Sequence, residues 1–222
     1  MRKRSLAVLL VVILVLGLSG TALAGNIAGV YQSGDNNKVY YIEQVGDFNE
    51  AFITQEGNEN EARQTQIGTF NYVYTHQEGH GNKAFIEQDG NNNASKTSAA
   101  DGRDFEFEIH DVTYTGTSPF FDTSPYTQYQ NGNYNTADAL IFGSLNNTSQ
   151  WQQGDNNTAT IRITGDDNIA KQVQRKNLNV ANITIDGNDN IAYQDQDGGD
   201  VSTITIQGNG IFVYIEGSLN YP

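Results

Sequence analysis

The chain of 222 residues has no cysteine. That excludes disulfide scaffolds, thiolate metal sites and cysteine nucleophiles. Proline is nearly absent, with 3 residues, and Met and Trp occur once each. Positive charge is scarce: 12 Lys plus Arg stand against 26 Asp plus Glu, a formal net charge of −14. So acidic a chain has no electrostatic footprint for nucleic acid or an anionic lipid surface. Hydrophobic residues make up 37% and charged residues 17%, too polar for an ordinary two-layer core. Generic disorder fits no better, because Tyr, Ile and Val recur at regular intervals. No Ser/His/Asp set and no distinctive carboxylate pair stands out, so neither an enzyme nor a cofactor is expected.

Long apolar runs are missing with one exception. Arg2-Lys3-Arg4 precedes an apolar run from Leu6 to Leu18, which ends at the small-residue site Ala22-Leu23-Ala24. A basic head, a short apolar middle and an A-x-A end describe a secretory signal peptide over residues 1–24. The run is shorter than the ~20 residues needed to span a bilayer. Removing residues 1–24 takes away three positive charges and moves the net charge from −14 to −17. An exported chain with no remaining membrane span is expected.

What the sequence has in abundance is a repeat. Gln44, Gln55, Gln66, Gln77 and Gln88 fall at a spacing of 11, each followed two residues later by Gly46, Gly57, Gly68, Gly79 or Gly90. Three residues further come Asn49, Asn60, Asn71, Asn82 and Asn93, and two beyond those Ala51, Ala62, Val73 and Ala84. The unit is Q-x-G-x-x-N-x-A-x-x-x-Q. It begins at Asn26, Ala28, Val30, Gln32 and Gly34, and the unit starting at Asn37 carries one extra residue before Gln44. The frame returns at Asn135, Asn146, Asn157, Asn168, Asn179 and Asn190, with Gly143, Gly154, Gly165, Gly187 and Gly198, and Lys176 breaks the glycine row once.

Within a unit, retained and variable positions alternate, as in Asn49, Ala51, Ile53, Gln55 and Gly57. Period two bounded by Gly and Asn is a strand with two unlike faces. Gly-x-x-Asn supplies the turn, since both residues tolerate left-handed backbone. Two units make a coil of 22 residues, and coils that cannot bury an inner face alone can do so by stacking. The expected fold is all-β: a β-solenoid of about seven stacked coils, two parallel sheets, amyloid-like, with one non-repeat insertion. The segments are a repeat block over 25–99, an insertion over 100–129 and a second block over 130–222.

The second block adds a constraint. Gln150 and Gln152, Gln172 and Gln174, and Gln194 and Gln196 recur every 22 residues, with Ile161 and Ile163, then Ile183 and Ile185, between them. One sheet should present stacked glutamines inward and the other stacked isoleucines. Near the end Val201 replaces Asn and one residue drops out, while Ile204, Ile206 and Gly208, then Ile211, Val213, Ile215 and Gly217, still alternate. This apolar last strand reads either as a cap or as a sticky end for the next subunit.

The insertion holds Pro119 and Pro125 and is dense in aromatics: Phe105, Phe107, Tyr114, Phe120, Phe121 and Tyr126. Phe105, Phe107 and Ile109 alternate as in a short strand, and the prolines argue that the rest loops out. It reads as a tolerated surface excursion or as a contact for a partner, a neighbouring fibril or a carbohydrate. His76 and His80 have metal-like spacing but no third ligand. Gly165-Asp166-Asp167-Asn168 and Gly187-Asn188-Asp189-Asn190 faintly suggest calcium turns, although turn propensity alone accounts for Asp and Asn there.

The unit Q-x-G-x-x-N-x-A-x-x-x-Q resembles the curlin repeat of bacterial curli fibre subunits. The strict spacing over Ile42–Asn93 is more similar to the minor, nucleating subunit than to the major one. The resemblance implies a secreted functional amyloid of biofilm matrix and adhesion, with inward Gln44, Gln55, Gln66, Gln77, Gln88 and their partner asparagines driving assembly. It also implies as partners other copies of the chain, related subunits, and the secretion pore and chaperones of a curli-type system. Two features depart from the family pattern: no Gly/Asn-rich segment precedes the repeats, and the aromatic insertion is extra. The alternative is a monomeric, capped secreted β-solenoid adhesin or carbohydrate-binding or carbohydrate-active protein.

Overall fold

The computed structural model describes residues 25–93, 105–109, 112–116 and 128–217. The signal peptide expected over 1–24 lies outside the described residues, as do both prolines of the insertion. Among the described residues every regular element is a β-strand. One sheet, here sheet A, has eight strands in the order β1 (Ile27–Ser33), β3 (Glu50–Asn58), β5 (Tyr72–His80), β9 (Gln128–Asn133), β11 (Asn147–Gln153), β13 (Ile169–Arg175), β15 (Ile191–Asp197) and β17 (Phe212–Gly217). Sheet B has seven: β2 (Lys38–Val45), β4 (Glu61–Ile67), β6 (Lys83–Asp89), β10 (Thr136–Phe142), β12 (Thr158–Thr164), β14 (Val180–Asp186) and β16 (Val201–Gln207). Every pairing within these two sheets is parallel, so successive strands alternate between sheets and the chain climbs as a solenoid of about seven coils. The short strand expected at Phe105–Ile109 is β7, and it pairs antiparallel with β8 (Val112–Gly116).

The core is a narrow slot between the sheets. Ala51, Ala62, Ala84, Ala137, Ala159, Ala170, Ala181 and Ala192 are all at most 1% exposed and form one inner column on each sheet. Small side chains here let the sheets approach closely. In sheet B, Ile161, Ile183 and Ile204 stack in register, as do Ile141, Ile163, Ile185 and Ile206. These columns are the apolar part of the core, and like-on-like stacking fills them because each coil repeats the shape below it.

Two irregularities in the sequence have structural counterparts. The extra residue before Gln44 is a β-bulge in β2, where the register to β4 shifts between Val39 and Tyr41 and leaves Tyr40 over. The insertion leaves the stack undisturbed. Asn93 receives an amide from Asn146, 53 residues on, where other coils use 22, so 31 residues are interposed without loss of register. β5 pairs directly with β9 and β6 with β10. The ladder resumes at Gln128.

Candidate functional site

The inward glutamines form amide ladders along the axis. In sheet A, Gln32, Gln55, Gln77, Gln130, Gln152 and Gln174 each donate Nε2 to Oε1 of the glutamine one coil up, ending at Gln196, at 2.6–2.9 Å. A second row runs Gln128, Gln150, Gln172, Gln194 at 2.9–3.1 Å. Sheet B carries a short ladder from Gln44 through Gln66 to Gln88. The second Nε2 proton of these residues crosses the core to a backbone carbonyl of the facing sheet: Gln172 to Thr160, Gln174 to Thr158, Gln194 to Asn182. Inside the ladders each buried amide therefore bonds along the axis and also stitches the two sheets together. A buried primary amide is tolerated only when so satisfied.

Opposite the glutamine rows of the second block stand Ile161, Ile163, Ile183 and Ile185, buried to 1% or less. Where ladder type changes, amides are orphaned. Gln88 Nε2 lies beneath Ile141, and Gln128 Oε1 lies above Thr75; neither atom has a partner. Gln64 Oε1, with Ile42 below and Ile86 above, is a third. Gln88 and Gln128 mark the seam between the blocks, while Gln64 lies within the first; each orphaned amide group costs about 1–3 kcal/mol. Gln128 and Gln130 escaped the sequence reading, although they stand 22 residues before Gln150 and Gln152.

The corner asparagines are the second built feature. Asn49, Asn60, Asn71 and Asn82, and their equivalents through Asn190, are 0–1% exposed. From Asn49 to Asn168 each accepts at Oδ1 the backbone N–H of the asparagine one coil up and donates Nδ2 to the carbonyl of the turn residue one coil up, usually glycine; higher up, Asn179 Oδ1 accepts from Gly198 and Asp200, and Asn190 Oδ1 from Ile211. Asn71 gives its Nδ2 to Gly90 O at 2.8 Å and receives the Asn93 N–H at 3.1 Å. Short of Asn, no side chain offers donor and acceptor at this reach.

The glycines Gly46, Gly57, Gly68, Gly79, Gly90, Gly154, Gly165 and Gly187 have φ between +106° and +144°. A Cβ at Gly57 would collide with the carbonyl of Gly79 in the next coil, and one at Gly187 with that of Gly208. The row breaks at Lys176, which takes the left-handed conformation at φ 61° and pairs Nζ with Asp197 at 3.0 Å. The third turn residue is left-handed as well, and is often a bulky one: Phe48, Phe70, Tyr134, Leu145 and Leu178. Asn36, Asn92, Asn156, Asp167 and Asp189 at the same position signal this demand, but Phe, Tyr and Leu do not. The second turn residue explains the Asp/Asn richness. Asp155 caps the Asn133 N–H, Asp166 that of Ser144 and Asn188 that of Asp166, each at 2.8 Å.

With that geometry in place, the comparison with known families is decisive for the first block. Residues 42–68 and 57–90 match the curlin-associated repeat. Residues 42–90 carry curlin-associated repeats. No curated protein and no solved structure matches it. The matched curlin repeats run from within β2 to the turn after β6, through the strictest Gln-Gly-Asn spacing.

The outward face of the stack is less regular. Glu56 and Glu78 pair directly across β3 and β5, both exposed. Beside them His76 stacks on Tyr129 at 5.3 Å, and Tyr129 lies 4.6 Å from Trp151. Burial holds the His76 imidazole below its ordinary pKa, against the opposing pull of Glu56 and Glu78. His80 instead faces Glu59 at 3.4 Å and Tyr134 edge-on, so the two histidines do not converge. Further up, Arg175 bonds to buried Asp195, which raises the guanidinium pKa. Tyr193 and Tyr214 stack at 5.2 Å; burial, with Glu216 and Asp195 nearby, pushes Tyr214 up to about 12. Among the described residues no three His, Asp or Glu side chains gather in a metal-sized group.

The ends differ from the middle. β1 and β2 at one end, and β16 and β17 at the other, each pair on one side only among the described strands. The inward residues of β1, β2 and β17 are only half-buried, Val30 and Ile42 at the first end and Val213 and Ile215 at the last, whereas Ile204 and Ile206 of β16 are buried.

Proposed function

We propose that the chain is a structural subunit, fibre-forming or nucleating, of extracellular curli-type fibres that serve in biofilm matrix and adhesion. The observation that carries this reading is the pair of stack ends. Each offers an edge strand with a row of backbone N–H and C=O groups and an apolar inner column awaiting another layer. Such an edge templates a further strand, and every added strand extends the backbone, Asn and Gln ladders at once. The inward Gln and Asn residues then act as the polymerisation register. Other copies of the chain and related curlin subunits are its partners. The basic-apolar leader and the repeat support export through a curli-type secretion pore with its chaperones, to the cell surface.

The test starts from residues 25–222 purified in denaturant. After its removal, thioflavin T fluorescence should rise sigmoidally and the product should diffract at ~4.8 Å along the fibre axis. A stable β-rich monomer that leaves the dye dark would refute polymerisation. It would favour the second reading, a capped adhesin or carbohydrate-binding protein. That reading draws on the bulge at Tyr40, because bulged edges resist strand addition.

A further inference from the structure

The two sheets hold unequal numbers of strands, eight in A and seven in B, so the described stack is a whole number of coils plus one half. β17 stands one half-coil above β16. We propose that successive copies join with a half-turn about the fibre axis, so that sheet A of one copy continues as sheet B of the next. This rests on the end-to-end assembly proposed above and specifies its register.

Consider the alternative, in which like sheets meet. β1 of the next copy would then cover β17, and β2 of that copy would sit two strand spacings above β16. A gap one strand wide, with unpaired edges above and below, would remain in sheet B at every junction. With the half-turn, β1 of the next copy lies on β16 and β2 lies on β17, and no ladder position is skipped. The inner columns agree with this register. Ile204 meets Val30 and Ser202 meets Ala28 on one side, while Val213 meets Val39 and Ile215 meets Ile42 on the other. Ile206 would meet Gln32, a mismatch in the inner columns and the same kind of ladder change as Gln88 against Ile141 within the chain.

The turns supply an independent argument. Along one corner each turn's second residue caps the N–H below it: Asp166 caps Ser144, Asn188 caps Asp166 and Asn209 caps Asn188, at 2.7–2.8 Å. Only the half-turn places Gly34-Asp35 over Gly208-Asn209, so that the Asp35 carboxylate continues the column onto the Asn209 N–H. It also sets the glycine of that turn, Gly34 (φ 106°), above Gly208 (φ 132°), as Gly208 itself stands above Gly187. At the other corner Asn26 arrives over Asp200, whose own N–H is received by Asn179 Oδ1. Asp200 thereby offers Asn26 an oxygen where the asparagine column would otherwise stop. Joined like to like, Asn26 would meet Ile211, which has no side-chain acceptor.

Cysteine pairs can read the register, since the chain has none of its own. Neighbouring parallel strands hold their Cα atoms ~4.8 Å apart, within disulfide reach. The half-turn brings Tyr31 beside Thr205 of the neighbouring copy; the like-to-like junction brings it beside Glu216, on the opposite outer face. Fibres of Tyr31→Cys mixed with Thr205→Cys should oxidise to covalent dimers, and fibres of Tyr31→Cys mixed with Glu216→Cys should not. Ile27→Cys with Val201→Cys or Phe212→Cys repeats the comparison at a second exposed position, should either substitution in the first set block assembly. Dimers from the Glu216 or Phe212 mixtures, or fibres without dimers from any mixture, would overturn the half-turn while leaving strand addition intact. A wild-type chain that stays monomeric would overturn both.

Discussion

The buried asparagine column can be challenged at one residue. Asn168 gives Nδ2 to Gly187 O at 2.8 Å and to Asn146 Oδ1 at 3.1 Å. Its Oδ1 receives both the backbone N–H and the Nδ2 of Asn190 at 3.0 Å. Asn168→Ala leaves the Gly187 carbonyl and the Asn190 N–H without these partners at a corner where Asn168 and Asn190 are 0% exposed. The remaining groups keep alternatives: Asn146 Oδ1 still accepts the Asn168 N–H, and Asn190 Nδ2 still reaches Gly208 O. Two buried backbone groups at about 1–3 kcal/mol each put the loss at about 2–6 kcal/mol. Asn188→Ala, one turn up at the same corner, removes an exposed cap from the Asp166 N–H. Water can replace that cap, so its cost should stay within about 0.5 kcal/mol. Urea titration of the chain before assembly gives the difference in stability, and amide exchange at Asn190 locates it. Equal effects of the two substitutions, or an Asn190 amide as protected as before, would refute the account of the column.

Gly187→Ala should abolish cooperative folding of the upper coils, because φ 141° and the Gly208 carbonyl both exclude a Cβ; Gly210→Ala, at φ 66° with open space around it, should cost about 1 kcal/mol by thermal melting. Glu78→Gln should shorten the lag of fibrillation by relieving the stacked Glu56–Glu78 repulsion, as should added salt or pH 4–5; lag times that do not change across these conditions would count against it. Because burial lowers the His76 pKa, the unfolded chain binds more protons than the folded one below the ordinary imidazole value of about 6.5. Stability should therefore fall as pH drops through that value, and His76→Phe should flatten this part of the profile in denaturant titrations. Deleting Tyr40 should straighten β2 and speed elongation from seeds, measured by dye fluorescence; unchanged elongation would mean the bulge does not guard that edge.

Much of the fold was legible in the sequence because a stacked coil repeats its constraints in the sequence. Gly57 is required by the carbonyl of Gly79 above it, and that in turn by Gly132, so the same residue recurs at each level. The Gln and Ile columns of the second block could be assigned to opposite sheets for the same reason: Gln150 must meet Gln172, and Ile161 must meet Ile183. What remained hidden were features that one residue type does not encode. The left-handed third turn position accepts Phe70, Glu59 and Asp167 alike. The stitching of Gln174 to Thr158 O crosses to a backbone group that any residue supplies. Gln128 was obscured by its place beside the insertion, where spacing along the chain jumps from 22 to 53 while spacing along the axis does not.

The amide ladders have a direction. From Gln32 to Gln174 each Nε2 sends one of its two hydrogens toward the last coil, onto an Oε1 that faces the first. The dipoles of one row therefore add instead of cancelling, as peptide dipoles do along a helix. The stack has an electrical head and tail before any charged side chain is counted. Two copies approaching tail to tail would set like poles of these rows against each other. A filament grown from such units inherits one arrow along its whole length, and its two tips are chemically different places.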